Sequence, residues 1–373
     1  MKIKPFAVEE WMNEYETGAR YNIAETCVDS ISLDELFELS GTNRNEFFSA
    51  ISEKRLTYGD IYGSKELLEG ISKLYRDIKS SEIVPTHGAA GANHHVFYSL
   101  VSAGDRVISI MPTYQQLYSI PESLGATIDI IKLRPENGYL PDPDEIEALV
   151  KPNTKMICLN NPNNPTGAVM PEEMLEKIVQ IARKADAYLL CDEVYRHLTQ
   201  HDGWSVSVAD IYEKGISVSS MSKVFSLAGI RMGWIATKDK EALRSFRSHR
   251  DYNLISCGMI DDAIASLALN AKDSILARNR GIIRGNLSVL DNWIKNNPHF
   301  SYVKPQAGTT ALVYYDFDIP SYEFCSRLYK ETGAFVTPGD CFDEKCSFRI
   351  GYGSDPETLL SGLEAITEFA KSL

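Results

Sequence analysis

The sequence predicts an α/β fold in which helices cover both sides of a mostly parallel β-sheet, with a smaller α+β unit after it. From about residue 83, short β-rich apolar runs alternate with segments of helical periodicity, as in sheets built by crossover connections. The chain has 373 residues, more than one hydrophobic core usually supports. A large domain and a smaller one are therefore expected.

Six segments are predicted to be buried strands because each is a short apolar run. In chain order they are DRVISIMP, ATIDIIKL, TKMICLN, AYLLCDE, KGISVSS and MGWIAT. Between two of them, PEEMLEKIVQIARKADA places Met174, Leu175 and Ile178 on one helical face behind a proline. In sheets of this kind, ligands bind beyond the carboxyl ends of the strands.

A long helical stretch over residues 258–292 is predicted to lead the chain away from this sheet. After it, TTALVYYDF and CSFRIGYG are predicted strands, whereas YEFCSRLYKE and the C-terminal PETLLSGLEAITEFAKSL are predicted amphipathic helices. We therefore predict an N-terminal segment, residues 1–40, that joins the smaller unit, a large domain over residues 41–270, and a small domain over residues 271–373.

Composition excludes several classes of protein. With 38 Lys and Arg against 51 Asp and Glu, the net charge of −13 opposes nucleic-acid binding. No apolar stretch approaches the roughly 20 residues that span a bilayer, so no membrane association is expected. Seven scattered cysteines without a CxxC pair suggest neither a disulfide framework nor a metal site. We expect a cytoplasmic protein that acts on small molecules and holds no metal.

The stretch SVSSMSKVFSLAGIRMGW contains Ser220, Ser222, Lys223 and Arg231. A lysine amine attacks an aldehyde well when it is partly desolvated and lies near positive charge, which Arg231 could supply. Two hydroxyls and a guanidinium also suit a phosphate dianion. The stretch therefore indicates pyridoxal phosphate, an aldehyde that carries a phosphate. Taken alone, such a lysine is more often a solvated surface charge.

Two further polar clusters are predicted at strand ends. NNPNNPTG follows one predicted strand, and LLCDEVY contains the next. Asp192 could keep the pyridine nitrogen of the cofactor protonated, and Tyr195 and Asn164 could hydrogen-bond its 3′-oxygen. A proline turn and a solvated acid would explain each cluster separately. Their order together with Lys223 favours one cofactor site.

These motifs resemble those of the class I/II aminotransferases, which belong to the fold-type I pyridoxal phosphate superfamily, and the match runs from about residue 55 to residue 353. The resemblance implies a three-layer domain with a seven-stranded sheet, a smaller domain, and pyridoxal phosphate as cofactor. It also implies that Lys223 holds the cofactor as an internal aldimine and that Asp192 and Tyr195 assist catalysis. The implied cofactor site comprises Asn164, Asp192, Tyr195, Ser220, Ser222, Lys223 and Arg231.

The same resemblance assigns residues earlier in the chain. In THGAAGANHHVFYSL, it implies that backbone N–H groups of Ala89, Ala90 and Gly91 bind the phosphate at a helix N-terminus. Relatives often have Ser or Thr where Ala90 stands, so one hydroxyl contact is missing. Tyr114 matches the aromatic residue that stacks on the cofactor ring and leaves its hydroxyl for water or substrate. We expect His94 and His95 to be packing or surface residues of the helix.

On the substrate side, Arg349 matches the arginine that binds the substrate α-carboxylate, next to Asn164. Tyr58 matches a tyrosine that reaches the phosphate bound in the other subunit, which implies a homodimer with shared active sites. Ala24, Glu25 and Thr26 replace the glycine-bearing turn of relatives. An acidic substrate would need a further cation, for which Arg20, His87 and Lys304 are the candidates.

The resemblance implies transfer of an amino group from an L-amino acid to a 2-oxo acid. The same cofactor chemistry also supports β-elimination, β-replacement or cyclisation when the substrate carries a leaving group at Cβ. THGAAGA, PTYQQLYSI and PGDCF are similar to the capreomycidine-synthase-like branch, which cyclises an arginine derivative. A non-catalytic regulator is a further alternative, although fewer than 60 residues precede Tyr58 and leave little room for a DNA-binding module.

Overall fold

The computed structural model describes residues 2–201 and 203–373. Its strands are β1 (Tyr21–Asn22), β2 (Ile83–His87), β3 (Arg106–Met111), β4 (Thr127–Lys132), β5 (Thr154–Asn160), β6 (Tyr188–Asp192), β7 (Gly215–Ser220), β8 (Met232–Ala236), β9 (Phe300–Tyr302), β10 (Thr310–Tyr315), β11 (Ala334–Phe335), β12 (Thr337–Pro338) and β13 (Ser347–Gly351). Its α-helices are α1 (Ala7–Tyr15), α2 (Leu33–Ser40), α3 (Arg44–Ser52), α4 (Lys65–Ser72), α5 (Gly88–Leu100), α6 (Gln116–Ser123), α7 (Pro143–Leu149), α8 (Glu172–Lys184), α9 (Val208–Ile211), α10 (Met221–Val224), α11 (Lys240–Arg250), α12 (Met259–Asn270), α13 (Lys272–Asn296), α14 (Ser321–Thr332) and α15 (Pro356–Ala370).

The central sheet has seven strands in the order β2-β8-β7-β6-β5-β3-β4. β3, β4, β5, β6 and β7 pair in parallel, whereas β8 runs antiparallel to its neighbours β7 and β2. The predicted α/β fold class is confirmed, and each of the six predicted strands is present. β2 lies at one edge of the sheet and was not among those six.

Alternate residues of the inner strands pack into two different hydrophobic cores, because successive side chains of a strand point to opposite faces of the sheet. Met156 and Cys158 pack with residues of α5 and α11, whereas Ile157 and Leu159 pack with residues of α8. Helices on both faces leave β5, β6 and β7 almost wholly buried. The prediction that ATIDIIKL is a buried strand is wrong, because β4 is an edge strand whose Ile130 is 40% exposed.

The smaller part of the chain contains the antiparallel sheet β12-β13-β10-β9 with α14 and α15. The N-terminal segment lies against this part, since Tyr21 of β1 pairs in parallel with Ala334 of β11. In addition, the indole N–H of Trp11 in α1 donates to the carbonyl of Val336 at 2.9 Å. The boundaries at residues 40 and 270 stay a prediction.

The described residues contain neither a membrane-spanning helix nor a cluster of metal ligands. Within residues 2–201 and 203–373, no helix is both long and apolar enough to cross a membrane. In the same part of the chain, no group of three or more His, Cys, Asp or Glu side chains is arranged to hold a metal ion.

Candidate active site

A cavity of about 250 Å³ lies at the carboxyl edge of the central sheet. Polar residues lie side by side at the base of this cavity because of the strand register: Asn160 pairs with Asp192, and Ser220 pairs with Gly233. Of the predicted site residues, the cavity brings together Ala89, Ala90, Tyr114, Asn164, Asp192, Tyr195, Ser220, Ser222, Lys223, Arg231 and Arg349. It does not include Gly91 or Tyr58.

Lys223 extends from the short helix α10, which follows β7 directly and is capped by the Ser220 hydroxyl. Its Nζ donates to Thr26 Oγ1 at 2.6 Å and to Cys27 Sγ at 3.3 Å, and Glu25 Oε1 lies 3.9 Å away. Burial favours the neutral amine, but Cys27, Tyr195 and Glu25 favour the ammonium and raise the pKa of Lys223 above its ordinary value. The expectation that the pKa of Lys223 is lowered toward neutrality is therefore wrong, and the expected contribution of Arg231 stays a prediction.

Asp192 is buried at the end of β6 and holds two hydrogen bonds. Its Oδ2 accepts from Asn93 Nδ2 at 2.8 Å, and its Oδ1 accepts from the backbone N–H of Val194 at 3.2 Å. Burial raises the pKa of Asp192 to about 6, against the lowering effect of these bonds. A bound cation beside this carboxylate would offset the cost of burying its charge.

Asn93 was missed as a site residue. It is fully buried in the second turn of α5, and within the described chain its Oδ1 has no hydrogen-bond partner. The available signal was its position in GAAGANHHVF, where an amide interrupts an otherwise apolar helix face two residues after Gly91. The adjacent histidines pack as expected, since His95 is buried against the Phe246 carbonyl and His94 stacks on Tyr98.

The start of α5 packs closely against Arg231. Gly88 has a φ of +66°, and a Cβ added there would lie 2.8 Å from an Arg231 guanidinium nitrogen. The backbone N–H groups of Ala89 and Ala90 belong to the first helical turn, where intrahelical acceptors are absent. Gly91 instead lines a separate small cavity beside His87 and His95.

Tyr114 lies in the cavity, but its hydroxyl is not free. It donates to Glu9 Oε1 at 2.8 Å, and its ring lies 4.9 Å from that of Phe6, centroid to centroid. The expectation that this hydroxyl is left for water or substrate is therefore wrong. Asn164 is held by a bond from its backbone N–H to Asn160 Oδ1 at 2.7 Å, and Tyr195 is buried.

Arg349 is a buried cation that forms no ion pair within residues 2–201 and 203–373. It lies on β13, is 2% exposed, and donates to the Ala24 carbonyl and Thr337 Oγ1, each at 3.1 Å. A longer bond of 3.4 Å reaches Asn164 Oδ1. Among the described residues no carboxylate lies within 4 Å of it, and its Nε has no acceptor. Because a buried charge is costly unless paired, this geometry suits a ligand carboxylate.

A second group of residues, here called the N-terminal wall, closes the cavity. It consists of Val8, Glu9, Met12, Asn13 and Glu16 from α1 and the adjoining turn, with Glu25 and Thr26. Its residues before position 20 were missed, whereas Glu25 and Thr26 belong to the segment that replaces the glycine-bearing turn of relatives. The spacing of 9, 12, 13 and 16 is that of one helix face and was the signal available. Arg20, His87 and Lys304, the predicted extra cations, do not line this cavity.

Tyr58 lies outside the cavity, between α3 and α4, and is 69% exposed. Leu56 and Tyr62 beside it are also largely exposed. The predicted contact of Tyr58 with a phosphate in another subunit stays a prediction.

The donor set of the cavity fits pyridoxal phosphate. Helix N–H groups, two serine hydroxyls and the Arg231 guanidinium suit the phosphate, Asp192 suits the ring nitrogen, and Lys223 suits the aldehyde. The close approach of Gly88 to Arg231, which a methyl group would obstruct, fits a cradle for an anion. We call Asn164, Asp192, Tyr195, Ser220, Ser222, Lys223 and Arg231 the strand-end wall.

Comparison with known proteins agrees with this fit. The family model described as aminotransferase class I and II matches residues 39–366. A crystal structure of a PLP-dependent aminotransferase from Streptococcus suis 89-1591 is 45% identical, with a TM-score of 0.97 over 100% of this chain and 99% of that one.

Two curated relatives are more distant. Aspartate aminotransferase from Thermotoga maritima is 28% identical over 86% of this chain and 85% of its own. Capreomycidine synthase from Streptomyces vinaceus is 25% identical over 97% of this chain and 92% of its own. The resemblance inferred from the motifs is confirmed: the chain belongs to the class I and II aminotransferase family and is a pyridoxal phosphate-dependent enzyme.

Proposed function

We propose that this protein transfers the amino group of an L-amino acid to a 2-oxo acid, with Lys223 as the residue that binds the cofactor covalently. One observation carries the proposal: Lys223, Asp192 and Arg349 line the same cavity. A nucleophilic amine, a buried carboxylate and an unpaired guanidinium are the groups that a cofactor aldehyde, a pyridine nitrogen and an amino-acid carboxylate require.

When bound, pyridoxal phosphate supplies an electron sink that makes the substrate Cα proton removable. The protein residues then divide the remaining tasks. Arg349 binds the substrate α-carboxylate and orients Cα, Asp192 keeps the ring nitrogen protonated, and Lys223 moves the proton away from Cα as a general base. Tyr195 and Asn164, both buried beside the lysine, hold the cofactor 3′-oxygen.

A second candidate function is β-elimination, β-replacement or cyclisation on a substrate with a leaving group at Cβ. Its support is the similarity to capreomycidine synthase, which extends over 97% of this chain. The residues up to proton removal are shared by both candidates, so the fate of the amino group separates them.

The test is incubation of the holoenzyme with a panel of amino acids and 2-oxo acids. Transamination predicts a new amino acid and a new 2-oxo acid in equal amounts, and conversion of the cofactor to its amine form by visible absorption. Without amino exchange, release of ammonia and a 2-oxo acid would indicate β-elimination, and loss of the Cβ leaving group with the α-amino group kept on the product would indicate replacement or cyclisation. Either result would contradict transamination and support the second candidate. Reduction with borohydride should fix the cofactor on a peptide that contains Lys223. A label on any other lysine would overturn the proposed assignment.

We also propose a homodimer with shared active sites. Its support is an exposed set of large apolar side chains that includes Leu56, Tyr58, Tyr62 and Tyr252. A monomer rarely exposes such a group without a partner. Mixing inactive Lys223→Ala and Tyr58→Ala variants should restore activity in hybrids with one intact site, and no recovery would count against shared sites.

A further inference from the structure

Three carboxylates face the cavity from the N-terminal wall: Glu9, Glu16 and Glu25. Glu25 already has partners, since its Oε1 accepts from the backbone N–H groups of Thr26 and Cys27 at 2.6 and 2.8 Å and lies near Lys223. Among the described residues, the Glu9 carboxylate accepts from the neutral Tyr114 hydroxyl alone, and that of Glu16 accepts from Asn22 Nδ2 alone, at 3.4 Å. Within the described parts of the chain, neither Glu9 nor Glu16 has a Lys, Arg or His nitrogen within 4 Å.

The remaining charges of the cavity are assigned by the proposed function. Arg231 faces the phosphate, Asp192 faces the ring nitrogen, and Lys223 binds the cofactor. Arg349 is left for the substrate α-carboxylate, because it is 2% exposed, faces the cavity and forms no ion pair with any described carboxylate. Within the described residues, Glu9 and Glu16 are then the remaining carboxylates of the cavity without an ion pair, and they lie on different elements from Arg349. Longer-range attraction still acts on them, between Glu9 and Arg349 and between Glu16 and Lys223.

The acids also repel one another. Burial, together with the charges of Glu25 and Glu9, raises the pKa of Glu16 above its ordinary value, against the lowering effects of the Asn22 hydrogen bond and the Lys223 charge. A cation placed between them would favour all three carboxylates. A second carboxylate, such as the side chain of aspartate or glutamate, would add to the repulsion.

We infer that the amino donor of this site is an amino acid whose side chain ends in a cation, an ammonium or a guanidinium, bound by Glu9 and Glu16 while Arg349 binds its α-carboxylate. The inference rests on the proposed function and deepens it. It predicts discrimination against acidic donors, since Arg20, His87 and Lys304 lie away from the cavity and supply no cation for them.

The test compares donors of matched shape and different charge on the holoenzyme. L-Arginine is paired with L-citrulline, its neutral urea isostere, and L-lysine with L-norleucine, while L-aspartate serves as the acidic donor. Single-turnover conversion of the cofactor to its amine form gives a rate and an apparent Kd for each donor. We expect each cationic donor to exceed its neutral partner at least about tenfold in rate over Kd, through a lower Kd, with aspartate lowest. Equal values for arginine and citrulline, or a faster reaction with aspartate, would overturn the inference.

Variants locate the effect. Glu16→Gln and Glu9→Gln should each lower the arginine to citrulline ratio, and Glu16→Lys should shift preference toward glutamate. The matched control is Glu10→Gln on the same helix, whose exposed side chain does not line the cavity. A ratio that stays unchanged in both Glu9→Gln and Glu16→Gln would exclude these residues as the cation site.

The same titrations separate this inference from the proposed function. If no amine form appears with any donor, transamination fails. Binding is still scored by the shift that each donor causes in the cofactor spectrum. Tighter binding of arginine than citrulline would then support the substrate class for a different reaction, and equal binding would reject it.

Discussion

The two walls of the cavity are built in different ways. The strand-end wall stands on β5, β6 and β7, whose residues are almost wholly buried and whose register fixes which side chains are neighbours. The N-terminal wall stands on the nine-residue helix α1 and on the segment of residues 25–26, and several of its side chains are partly exposed. Under the proposed function, the sheet carries the chemistry common to many substrates. The groups that we infer to contact the substrate side chain lie on elements that can change without disturbing the sheet.

The largest effect is expected from substitution of Lys223 in the strand-end wall. Among the described residues that line the cavity, Lys223 alone has an amine that can both bind an aldehyde and move a proton at Cα, so turnover of Lys223→Ala should fall on the order of 10⁴-fold. The loss should be similar for every amino donor, because this wall does not distinguish side chains. The measurement is single-turnover conversion of the cofactor. Lys177→Ala, on the outer side of α8, is the control and should leave the rate unchanged. A loss confined to one donor would contradict the assignment of the shared chemistry to the strand-end wall and of donor specificity to the N-terminal wall.

A second prediction concerns Asp192 of the strand-end wall, where one substitution should have opposite effects on stability and on activity. A pKa of about 6 in place of the ordinary 3.8 means that ionising this buried carboxyl costs the cofactor-free fold roughly 3 kcal/mol at neutral pH. Because the folded-state pKa is raised, this cost grows as the pH rises from about 4 to 6 and is absent below both values. Asp192→Asn should therefore raise the melting temperature of the cofactor-free protein at pH 7 but not at pH 3.5.

The same variant should lower turnover by about 10³-fold, because an amide cannot keep the ring nitrogen protonated. Asp318→Asn, an exposed replacement, is the control for both measurements. A cofactor-free Asp192→Asn protein that is less stable at pH 7 would show that Asp192 holds the fold together rather than serving the cofactor.

The two walls also differ in how far sequence could predict them. Asp192, Lys223 and Arg231 were found because polar residues at the ends of apolar strands form short, ordered motifs. Glu9 and Glu16 were not found, because a helix with acids on one face is usually a solvated surface helix. The bond from Tyr114 to Glu9, the pairing of β1 with β11 and the bond from Trp11 to Val336 place α1 over the cavity. Each of these contacts joins residues more than 100 positions apart, a separation at which local patterns carry no information.

A third, smaller effect concerns Asn93, which supports the strand-end wall from α5. Its Nδ2 bond of 2.8 Å favours the ionised form of Asp192, so Asn93→Ala should raise the pKa of Asp192 further. We expect a roughly tenfold loss of turnover at pH 7 that is partly recovered at pH 8.5. The measurement is the pH profile of single-turnover rates. A loss of equal size at every pH would assign Asn93 to packing alone.

The smallest expected effect tests whether the two walls are independent, and it concerns Glu25. Its carboxylate lies 3.9 Å from the Lys223 amine and is partly exposed, so it favours the ammonium only modestly. Glu25→Gln keeps an oxygen to accept from the N–H groups of Thr26 and Cys27 but removes the charge.

Loss of a nearby anion lowers the pKa of a lysine, so more neutral amine is present at a given pH. The rate at which cofactor-free protein captures pyridoxal phosphate should rise a few-fold at pH 7.5, and its pH profile should move to lower pH. Glu14→Gln, an exposed residue of α1 outside the cavity, is the control. Because capture is measured before any substrate is added, a moved profile could only mean that the N-terminal wall sets the protonation of the catalytic lysine. An unchanged profile would show that the two walls act independently. Residues of the N-terminal wall could then change donor specificity without affecting the protonation of Lys223.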